Sequence, residues 1–536
     1  MVYMIKNVKT KRMTAFFLSV LLTLFFFAAV PGQRVSAAAV TADSAAKNAA
    51  AYLSAAVKKP EYGQAGGEWL VLGVVRGGYT LTDTARNSYL SSLSAALKAG
   101  NGSLSARRYT EYSRTVLALT ALGENPRAYA GYDLLKPLTS LKDVSKQGVN
   151  GTAYALLAMD AGGFAFPANT TGRQDYIDAL VDAQRKDGGW SLNTNTALPD
   201  ADVTAMVLQV LSPYTAQKSV SDAVKSGVAA LGKLASKTGT FSSYGVDNAE
   251  SCAQVLTALS VLPQTYRTAK GAPSVSAVLS GLLSFRNSDG GFVHTAGGET
   301  DLMSTEQALC ALSAYIRMRD GKTAFYTMTD VVRKNGAHPD VTKRPVISRG
   351  VTFPDIAYST AKTAVEALAA RDILHGCDDG KFHPEQDLTR AQFAQILTNA
   401  LGLSAEAVVS FTDVPQKAWY APAVRTASRV GLILGAGDGT FSPDRTITRE
   451  EAAVILVRAA ALAGIDTAMR SSDVTSVLSM WKDGSSVSSW ARDALAFCCS
   501  RGMIQPQKNA VAPAVHMTRG ETAQAVYVLL RMAGLL

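Results

Sequence analysis

Two periodic patterns of apolar residues organise the chain, and the first covers its middle. Between about residues 43 and 319, Ala-rich segments that are apolar on most faces alternate with amphipathic ones. A helix that is apolar all round is buried all round, so the apolar segments predict an inner layer of helices and the amphipathic ones an outer layer. The inner segments lie at 69–75, 115–122, 152–159, 204–211, 252–259 and 305–312. The outer segments lie near 43–57, 83–99, 130–141, 173–185, 218–236 and 273–286. This recurrence predicts an all-α array of stacked or ring-closed hairpins.

The turns between these hairpins carry a second repeat. Asp-Gly-Gly-aromatic occurs at 187–190 and 289–292, and Gly-Thr-Phe occurs at 239–241. The segment Gln-Arg-Lys-Asp-Gly-Gly-Trp at 184–190 resembles the Gln-Trp motif of squalene-hopene-type cyclases. The middle of the chain is thus similar to the α/α-toroid superfamily, which also includes prenyltransferase β subunits and the cobalamin-carrier barrel. The resemblance implies an (α/α)6 toroid over residues 38–320.

Two acidic residues are the candidates for chemistry in this toroid. Asp202 lies in Asp-Ala-Asp-Val-Thr-Ala at 200–205, which resembles the Asp-x-Asp-Asp-Thr-Ala motif of class II terpene cyclases, but Val203 replaces the last Asp. The alternative is that acids and amides at these positions cap helices and line one mouth of the barrel. Glu250 falls at the position equivalent to Asp202. We expect the lumen to hold both acids together with three aromatic residues, Trp190, Tyr244 and Phe292. The alternative for the aromatic residues is that they pack between successive hairpins.

The toroid therefore has two candidate functions. One is a ligand-binding or surface-interaction module, and the other is an enzyme acting on a polyprenyl, terpenoid or polysaccharide substrate. Zinc is not expected, because Glu250, Cys252 and His294 do not match the prenyltransferase ligand pattern. The five cysteines are scattered and form no disulfide framework. We predict neither a metal nor a cofactor.

The second pattern, in the last third of the chain, is a tetrapeptide that occurs three times. Its pattern is Thr-Arg-x-Gln/Glu, where x is any residue, and it lies at 389–392, 448–451 and 518–521. An apolar run follows each copy. This is the capping-box signature of a helix start. Arg390, Arg449 and Arg519 oppose the helix macrodipole, which favours anions at this end. We expect each arginine to help hold an anion at a helix N-terminus.

An aromatic-x-Asp motif precedes each tetrapeptide at a nearly constant distance. It occurs at 353–355, 411–413 and 481–483, and a Gly-rich loop with the pattern Asp-Gly-x-Phe-x-Pro follows in the first two copies. These motifs resemble S-layer homology repeats. The resemblance divides the end of the chain into repeat one (351–404), repeat two (405–468) and repeat three (469–536), packed as a helical bundle.

Such triplets attach exported proteins non-covalently to pyruvylated secondary cell-wall polysaccharide, in grooves between repeats. The resemblance implies that the three arginines hold the pyruvate carboxylate and that two tryptophans stack on sugar. It also implies that an aspartate from each repeat lines or braces a groove; the alternative is that these aspartates only cap turns. The tryptophans are Trp419 and Trp490, and the aspartates are Asp355, Asp413 and Asp483. Because the loop of repeat three, 504–513, lacks Gly-Asp-Gly, the sequence favours Arg390 and Arg449 over Arg519.

The first 37 residues indicate that the protein is exported. Four basic residues precede an uncharged apolar run at 14–30, and Val-Ser-Ala follows at 35–37, which is typical of a secretory signal peptide. An uncleaved membrane anchor is the alternative. No later stretch of the sequence is apolar enough to span a membrane, so we expect a secreted protein in the cell wall or S-layer of a bacterium. Residues 320–350 lose the helical repeat, and we expect them to close the toroid and to form a linker, at 321–350, to the repeats. No basic stripe supports nucleic-acid binding.

Overall fold

The computed structural model describes residues 41–166, 171–192, 199–243, 245–331, 333, 337–404, 411–435 and 439–536. The predicted signal peptide lies outside these residues. No helix among them is both long and apolar enough to cross a bilayer. Residues 41–536 belong to one compact unit.

The first part of this unit is a helical toroid. Its helices are α1 (Ala42–Ala56), α2 (Glu68–Arg76), α3 (Asp83–Ala99), α4 (Tyr109–Ala121), α5 (Leu141–Val144), α6 (Gly148–Ala161), α7 (Arg173–Asp182), α8 (Ala201–Leu211), α9 (Lys218–Leu234), α10 (Ala249–Val261), α11 (Gln264–Arg267), α12 (Val275–Leu283) and α13 (Leu302–Arg319). Two small antiparallel hairpins accompany them, β1 (Ser242–Ser243) with β2 (Val246–Asp247) and β3 (Phe292–Val293) with β4 (Thr300–Asp301).

Six of these helices form the inner ring that the apolar pattern predicts. The ring runs α2, α4, α6, α8, α10, α13, each helix packs against the next, and α13 closes the ring by packing on α2. Apolar side chains of the inner helices fill the core between the layers. The predicted outer helix near 130–141 is wrong. A Pro137-containing 3-10 turn (Lys136–Thr139) and the single turn of α5 take its place, because proline donates no backbone hydrogen bond.

The second part is a bundle of three helix–loop–helix repeats. Its helices are α14 (Lys362–Ala369), α15 (Arg390–Ala400), α16 (Ala421–Arg429), α17 (Arg449–Leu462), α18 (Ser471–Ser479), α19 (Arg492–Ser500) and α20 (Arg519–Met532). Short 3-10 helices lie at Pro354–Ile356, Gly484–Ser486 and Ser489–Ala491 here, and at Ser145–Gln147 and Ser212–Tyr214 in the toroid. The second helix of each repeat packs on the first helix of the next, in the pairs α15 with α16, α17 with α19, and α20 with α14. The three repeats therefore close into a ring.

Residues 320–350, predicted to close the toroid and then form a linker, bond to both parts. On the toroid side, the Met328 amide donates to the Ala161 carbonyl at 2.7 Å, and His338 Nε2 donates to the Gly162 carbonyl at 2.8 Å. On the bundle side, three amides donate to carbonyls at helix ends, His338 to Leu462, Thr342 to Leu401 and Ile347 to Ala370. These carbonyls lack helical partners, so the segment supplies bonds that the helices themselves do not.

A buried carboxylate adds a second connection. Asp340, 7% exposed, accepts from Arg429 of repeat two at 2.8 Å and from the Ala165 amide of the toroid at 2.8 Å. Arg127 of the toroid approaches it at 3.5 Å. Arg429 also donates to the Gly163 carbonyl. Asp340 is thus shared between the toroid and repeat two.

Candidate functional site

The three Thr-Arg tetrapeptides meet at the centre of the repeat ring. The residues just before the threonines form a closed cycle of backbone hydrogen bonds, in which Leu388 donates to Met517, Met517 to Ile447, and Ile447 to Leu388, at 2.9–3.0 Å. Thr389, Thr448 and Thr518 each form the predicted capping box with the Gln or Glu three residues on. The capping half of the motif is confirmed.

The first amides of these helices are already bonded. The Arg390 amide donates to the Arg445 carbonyl at 2.9 Å, and the Ala391 amide donates to the Pro443 carbonyl at 3.0 Å. Equivalent bonds start α17 and α20. Since the threonine satisfies the third amide, no amide of the first turn remains for an anion. The structure contradicts a helix-terminus anion site. An anion could be held only by the arginine side chain.

Each arginine side chain crosses to the loop of the next repeat. Arg519 Nε donates to the Phe382 carbonyl at 2.8 Å, Arg390 Nε to the Phe441 carbonyl at 3.0 Å, and Arg449 Nε to the Val511 carbonyl at 2.9 Å. We name the three resulting clefts after the repeat that supplies the loop. Groove 1 contains Arg519, groove 2 contains Arg390 and groove 3 contains Arg449.

This cyclic exchange removes the premise on which the sequence ranks the arginines. The ranking assumed that each arginine lies beside the Gly-rich loop of its own repeat. In the structure Arg519 lies 4.6 Å from the ring centre of Phe382, in the intact loop of repeat one. Arg390 lies 5.2 Å from the ring centre of Phe441, in the intact loop of repeat two. The altered loop of repeat three faces Arg449 instead.

Groove 1 is an open cavity of about 400 Å³. Arg519 lies at one side, where Nη2 donates to the His375 carbonyl at 2.8 Å. Trp419, which is 62% exposed, lies on the rim. Three amide side chains of α15 complete the polar lining: Gln392, Gln395 and Asn399. Sequence reasoning missed these amides, although their spacing of three and four residues places them on one helix face.

In groove 2 a buried guanidinium forms no ion pair with a carboxylate of the described residues. Arg390 is 8% exposed, and burial lowers its pKa. Among the described residues it forms no ion pair, and neither of its terminal nitrogens donates a hydrogen bond. A buried, unpaired cation is costly, and a bound anion would relieve that cost. Arg519 in groove 1 is likewise without an ion pair in the described part of the chain, and burial lowers its pKa as well.

Groove 3 differs because its arginine is saturated. Arg449 is 1% exposed, and its Nη2 donates to the Gln505 carbonyl at 2.7 Å. Nη1 forms an ion pair with Glu521 at the start of α20. All three nitrogens of this guanidinium therefore have protein partners. The cavity beside them, about 260 Å³, also contains Glu385.

The three predicted aspartates brace the loops. Asp355 accepts from the amides of Phe382 at 2.9 Å and His383 at 2.7 Å. Asp413 and Asp483 bind the equivalent amide pairs. The second amide of each pair belongs to a non-glycine residue with positive φ, such as His383 at +56°, a conformation that needs such support. The geometry favours the bracing role.

Replacing Asp355 by asparagine is expected to lower the free energy of unfolding by about 1–3 kcal/mol at neutral pH, because one loop amide loses its acceptor. Burial raises the pKa of Asp355, but the two amide bonds outweigh it and hold the pKa below its usual value. The stabilisation is thus present above about pH 4 and lost as the pH falls. Urea titrations of the variant and wild type should converge in acid. The exposed Asp378→Asn is the control and should change nothing.

An exposed aromatic side chain shortly precedes each of the helices α14, α16 and α19, and one of the three, Trp419, lines groove 1. Trp419 is 62% exposed, Trp490 is 58% exposed and Tyr358 is fully exposed. Large aromatic rings left in solvent at related positions are typical of binding surfaces, because packing does not explain them.

The mouth of the toroid contains a smaller cavity of about 270 Å³. Asp202 and Glu250 both line it, with Asn150, Tyr154 and Gln307. Burial raises the pKa of Asp202 to about 6. Glu250 accepts from Ser304 Oγ at 2.6 Å and bonds His294 Nδ1 at 2.8 Å. The two acids therefore line one pocket, but Asp202 has a raised pKa because it is buried, whereas Glu250 is bonded to Ser304 and His294.

Two of the aromatic residues expected in the lumen, Trp190 and Phe292, do not line this pocket. Trp190 and Phe292 are fully buried, and Trp190 Nε1 donates to the Leu180 carbonyl at 2.7 Å. Both rings therefore lie inside the protein, which contradicts the lumen position and favours the alternative of packing between hairpins. Tyr244 lies outside the described residues. Among the described residues no cluster of His, Cys, Asp and Glu is placed to hold a metal ion.

Comparisons with known proteins bear on the repeat ring. Residues 352–394 and 410–453 match the S-layer homology domain. The chain therefore carries S-layer homology repeats in its last third, and residues 469–536 repeat their helix–loop–helix geometry.

The relatives match about a third of this chain or less. Similar proteins include exoglucanase XynX of Acetivibrio thermocellus, 34% identical over 187 residues, and S-layer protein sap of Bacillus anthracis, 30% identical over 185 residues. Each match covers 34% of this chain, and they cover 17% and 22% of the respective relatives. The surface-layer 125 kDa protein of Lysinibacillus sphaericus is 37% identical over 145 residues, 27% of this chain and 12% of that protein.

A solved structure resembles the chain more distantly. Unsaturated glucuronyl hydrolase from Bacillus sp. GL1 aligns with 54% of this chain and 99% of its own, with a TM-score of 0.38 and 10% sequence identity.

Proposed function

We propose that the S-layer homology repeats anchor this protein to a cell-wall polysaccharide through acidic sugars, and that the toroid is the module they hold at the surface. The observation that carries the proposal is a pair of arginines in grooves 1 and 2, of which Arg390 is buried and Arg519 is partly buried. Arg519 and Arg390 lie in clefts of the repeat ring, and neither has an ion-pair partner in the described structure. Relatives with these repeats include proteins named as S-layer proteins.

The groove chemistry suits a sugar that bears a pyruvate ketal. Its carboxylate would accept charge-assisted hydrogen bonds from the two terminal nitrogens of Arg390 in groove 2 and from Nη1 of Arg519 in groove 1, whose Nη2 already donates to the His375 carbonyl. The ring would lie against the exposed Trp419 in groove 1, and the α15 amides would bond its hydroxyl groups. In groove 2, Trp490 would take the equivalent role. A neutral polymer would leave both guanidinium groups unpaired.

A sedimentation assay tests this function. The full chain is mixed with purified wall sacculi before and after mild acid removal of the ketal. We expect binding to the untreated sacculi and a loss of at least about tenfold after treatment, since a hydrogen bond to a charged group contributes about 1.5–3 kcal/mol. Equal binding to both preparations would contradict the anionic-groove mechanism while leaving wall attachment intact.

A second function is proposed for the toroid mouth, as a binding site for a hydroxylated ligand such as a sugar. The supporting observation is its polar cavity, in which Asp202 and Glu250 stand beside Asn150 and Gln307. The exposed Leu192 and Met303 form an apolar rim. Acceptors, donors and apolar edges together are what sugar rings require. Catalysis is the rival, because the pKa of Asp202 near 6 suits proton transfer.

Asp202→Asn separates these outcomes. With grooves 1 and 2 disabled by Arg519→Gln and Arg390→Gln, the full chain is titrated with neutral wall oligosaccharides at about pH 5 and about pH 7. We expect an affinity that changes across this interval in the parent and not in the Asp202 variant, because Asp202 titrates between them. Asp200→Asn, which keeps the α8 cap, is the control. Cleavage of the oligosaccharide that Asp202→Asn abolishes would establish an enzyme instead.

A further inference from the structure

The three grooves share a position whose side chain forms an ion pair with the arginine in groove 3 and, among the described residues, forms none with it in grooves 1 and 2. It is the third residue of the helix that borders the groove, occupied by Gln392 in α15, Glu451 in α17 and Glu521 in α20. In all three helices this side chain closes the capping box, so its place beside the groove is fixed by folding. The residue is a neutral glutamine in groove 1 and a glutamate in grooves 2 and 3, and the side chain to which it bonds besides the cap differs between grooves 2 and 3.

In groove 3 the third-position carboxylate is the partner of the arginine. Glu521 Oε2 accepts the Thr518 amide at 3.1 Å, and Oε1 takes both Arg449 and, at 2.5 Å, Gln507 Nε2. Arg449 is left with no free donor nitrogen, since Val511 and Gln505 take the other two. The carboxylate that a ligand would supply is already present in the protein.

In groove 1 the same position is neutral. Gln392 Oε1 accepts the Thr389 amide at 3.0 Å, and the described residues show no bond between Gln392 and Arg519. A neutral amide cannot form an ion pair, so Arg519 keeps its charge uncompensated in the cavity that both side chains line. The capping box needs only an acceptor at this position, which glutamine provides as well as glutamate.

In groove 2 a carboxylate occupies the position, and another arginine holds it. Glu451 accepts from Arg445 Nη2 at 2.6 Å and Nη1 at 3.2 Å, while Oε2 also accepts the Thr448 amide. This bidentate pairing satisfies Glu451 from within repeat two. Arg390, which faces Glu451 from repeat one, interacts with it only through their charges and forms no ion pair within the described residues.

We propose that this third helical position determines which grooves accept an acidic sugar, so that grooves 1 and 2 bind it and groove 3 is closed by Glu521. Arg445 is a positioning residue in this scheme, because it keeps Glu451 from pairing with Arg390. The proposal rests on the anchoring function above and specifies its ligand selectivity. It also predicts that replacing Glu521 alone would open groove 3.

Isothermal titration calorimetry of the full chain with a pyruvate-ketal monosaccharide counts the open grooves. We expect two sites in the wild type, three in Glu521→Gln and one in Gln392→Glu. The two substitutions are reciprocal, and both keep a capping side chain that the protein already uses elsewhere. Arg445→Gln should reduce the number of sites to one, because Glu451 would lose Arg445 and form an ion pair with Arg390 instead. The same sugar without its ketal is the control ligand.

The outcomes distinguish this inference from the function on which it rests. A wild-type chain that binds none of the ketal sugar would overturn both. Two sites in the wild type that remain two in Glu521→Gln and Gln392→Glu would overturn the inference alone. Melting temperatures within a few degrees of wild type would show that the altered counts are not caused by unfolding.

Discussion

Replacing Arg390 and Arg519 together by glutamine is expected to lower the affinity of the full chain for pyruvylated wall polysaccharide by at least about a hundredfold. Each guanidinium would lose a charge-assisted hydrogen bond of about 1.5–3 kcal/mol, and 1.4 kcal/mol is about a factor of ten. The polymer offers many sugars, so the two grooves act on one chain and their losses multiply. Surface plasmon resonance on immobilised polysaccharide measures the change.

Arg449→Gln is the matched control for that experiment. Arg449 is the most buried of the three arginines and makes three protein bonds, so its loss should cost the most stability, about 3–5 kcal/mol. Its effect on affinity should be small, because the groove it occupies is closed. A variant that is less stable but still binds would separate folding from recognition. If Arg449→Gln instead weakens binding as much as Arg519→Gln, groove 3 is a working site.

Replacing Asp340 by alanine is expected to uncouple the toroid from the repeats. The wild type should unfold in one transition, because residues 41–536 form one compact unit that Asp340 helps to join. Removing one partner of a buried ion pair costs about 3–5 kcal/mol. Differential scanning calorimetry should then show two transitions where the wild type has one.

Asp222→Ala serves as the control for Asp340. Asp222 pairs with Lys218 on the exposed face of α9, and exposed pairs contribute little to stability. Its melting curve should match that of the wild type. A single unchanged transition in Asp340→Ala would mean that the backbone bonds of residues 320–350 suffice to couple the two parts.

The helices, their two layers and their caps follow from local sequence signals, and for that reason they could be predicted. The 3.6-residue pattern locates the inner helices, although α4 begins six residues before its predicted segment and α13 ends seven residues after its own. The Thr-x-x-Gln/Glu signature gives the starts of α15, α17 and α20. These features depend on side chains near one another in the chain.

The pairing of arginine with loop could not be predicted, because it depends on ring closure. Arg519 bonds to the carbonyl of Phe382, which lies 137 residues earlier in the chain. This contact forms only because repeat three packs against repeat one. Sequence spacing gives an arginine no preference between its own loop and the next. The same limit applies to Trp190 and Phe292, whose turn motif does not distinguish a ring facing the lumen from one packed between hairpins.

The central claim is that two specific grooves of the repeat ring hold the acidic sugar. A crystal structure of the full chain bound to a pyruvate-ketal sugar tests it most directly. We predict a sugar in groove 1 with its carboxylate on Arg519 and another in groove 2 with its carboxylate on Arg390. A sugar bound to Arg449 in groove 3, or bound away from all three grooves, would contradict the account.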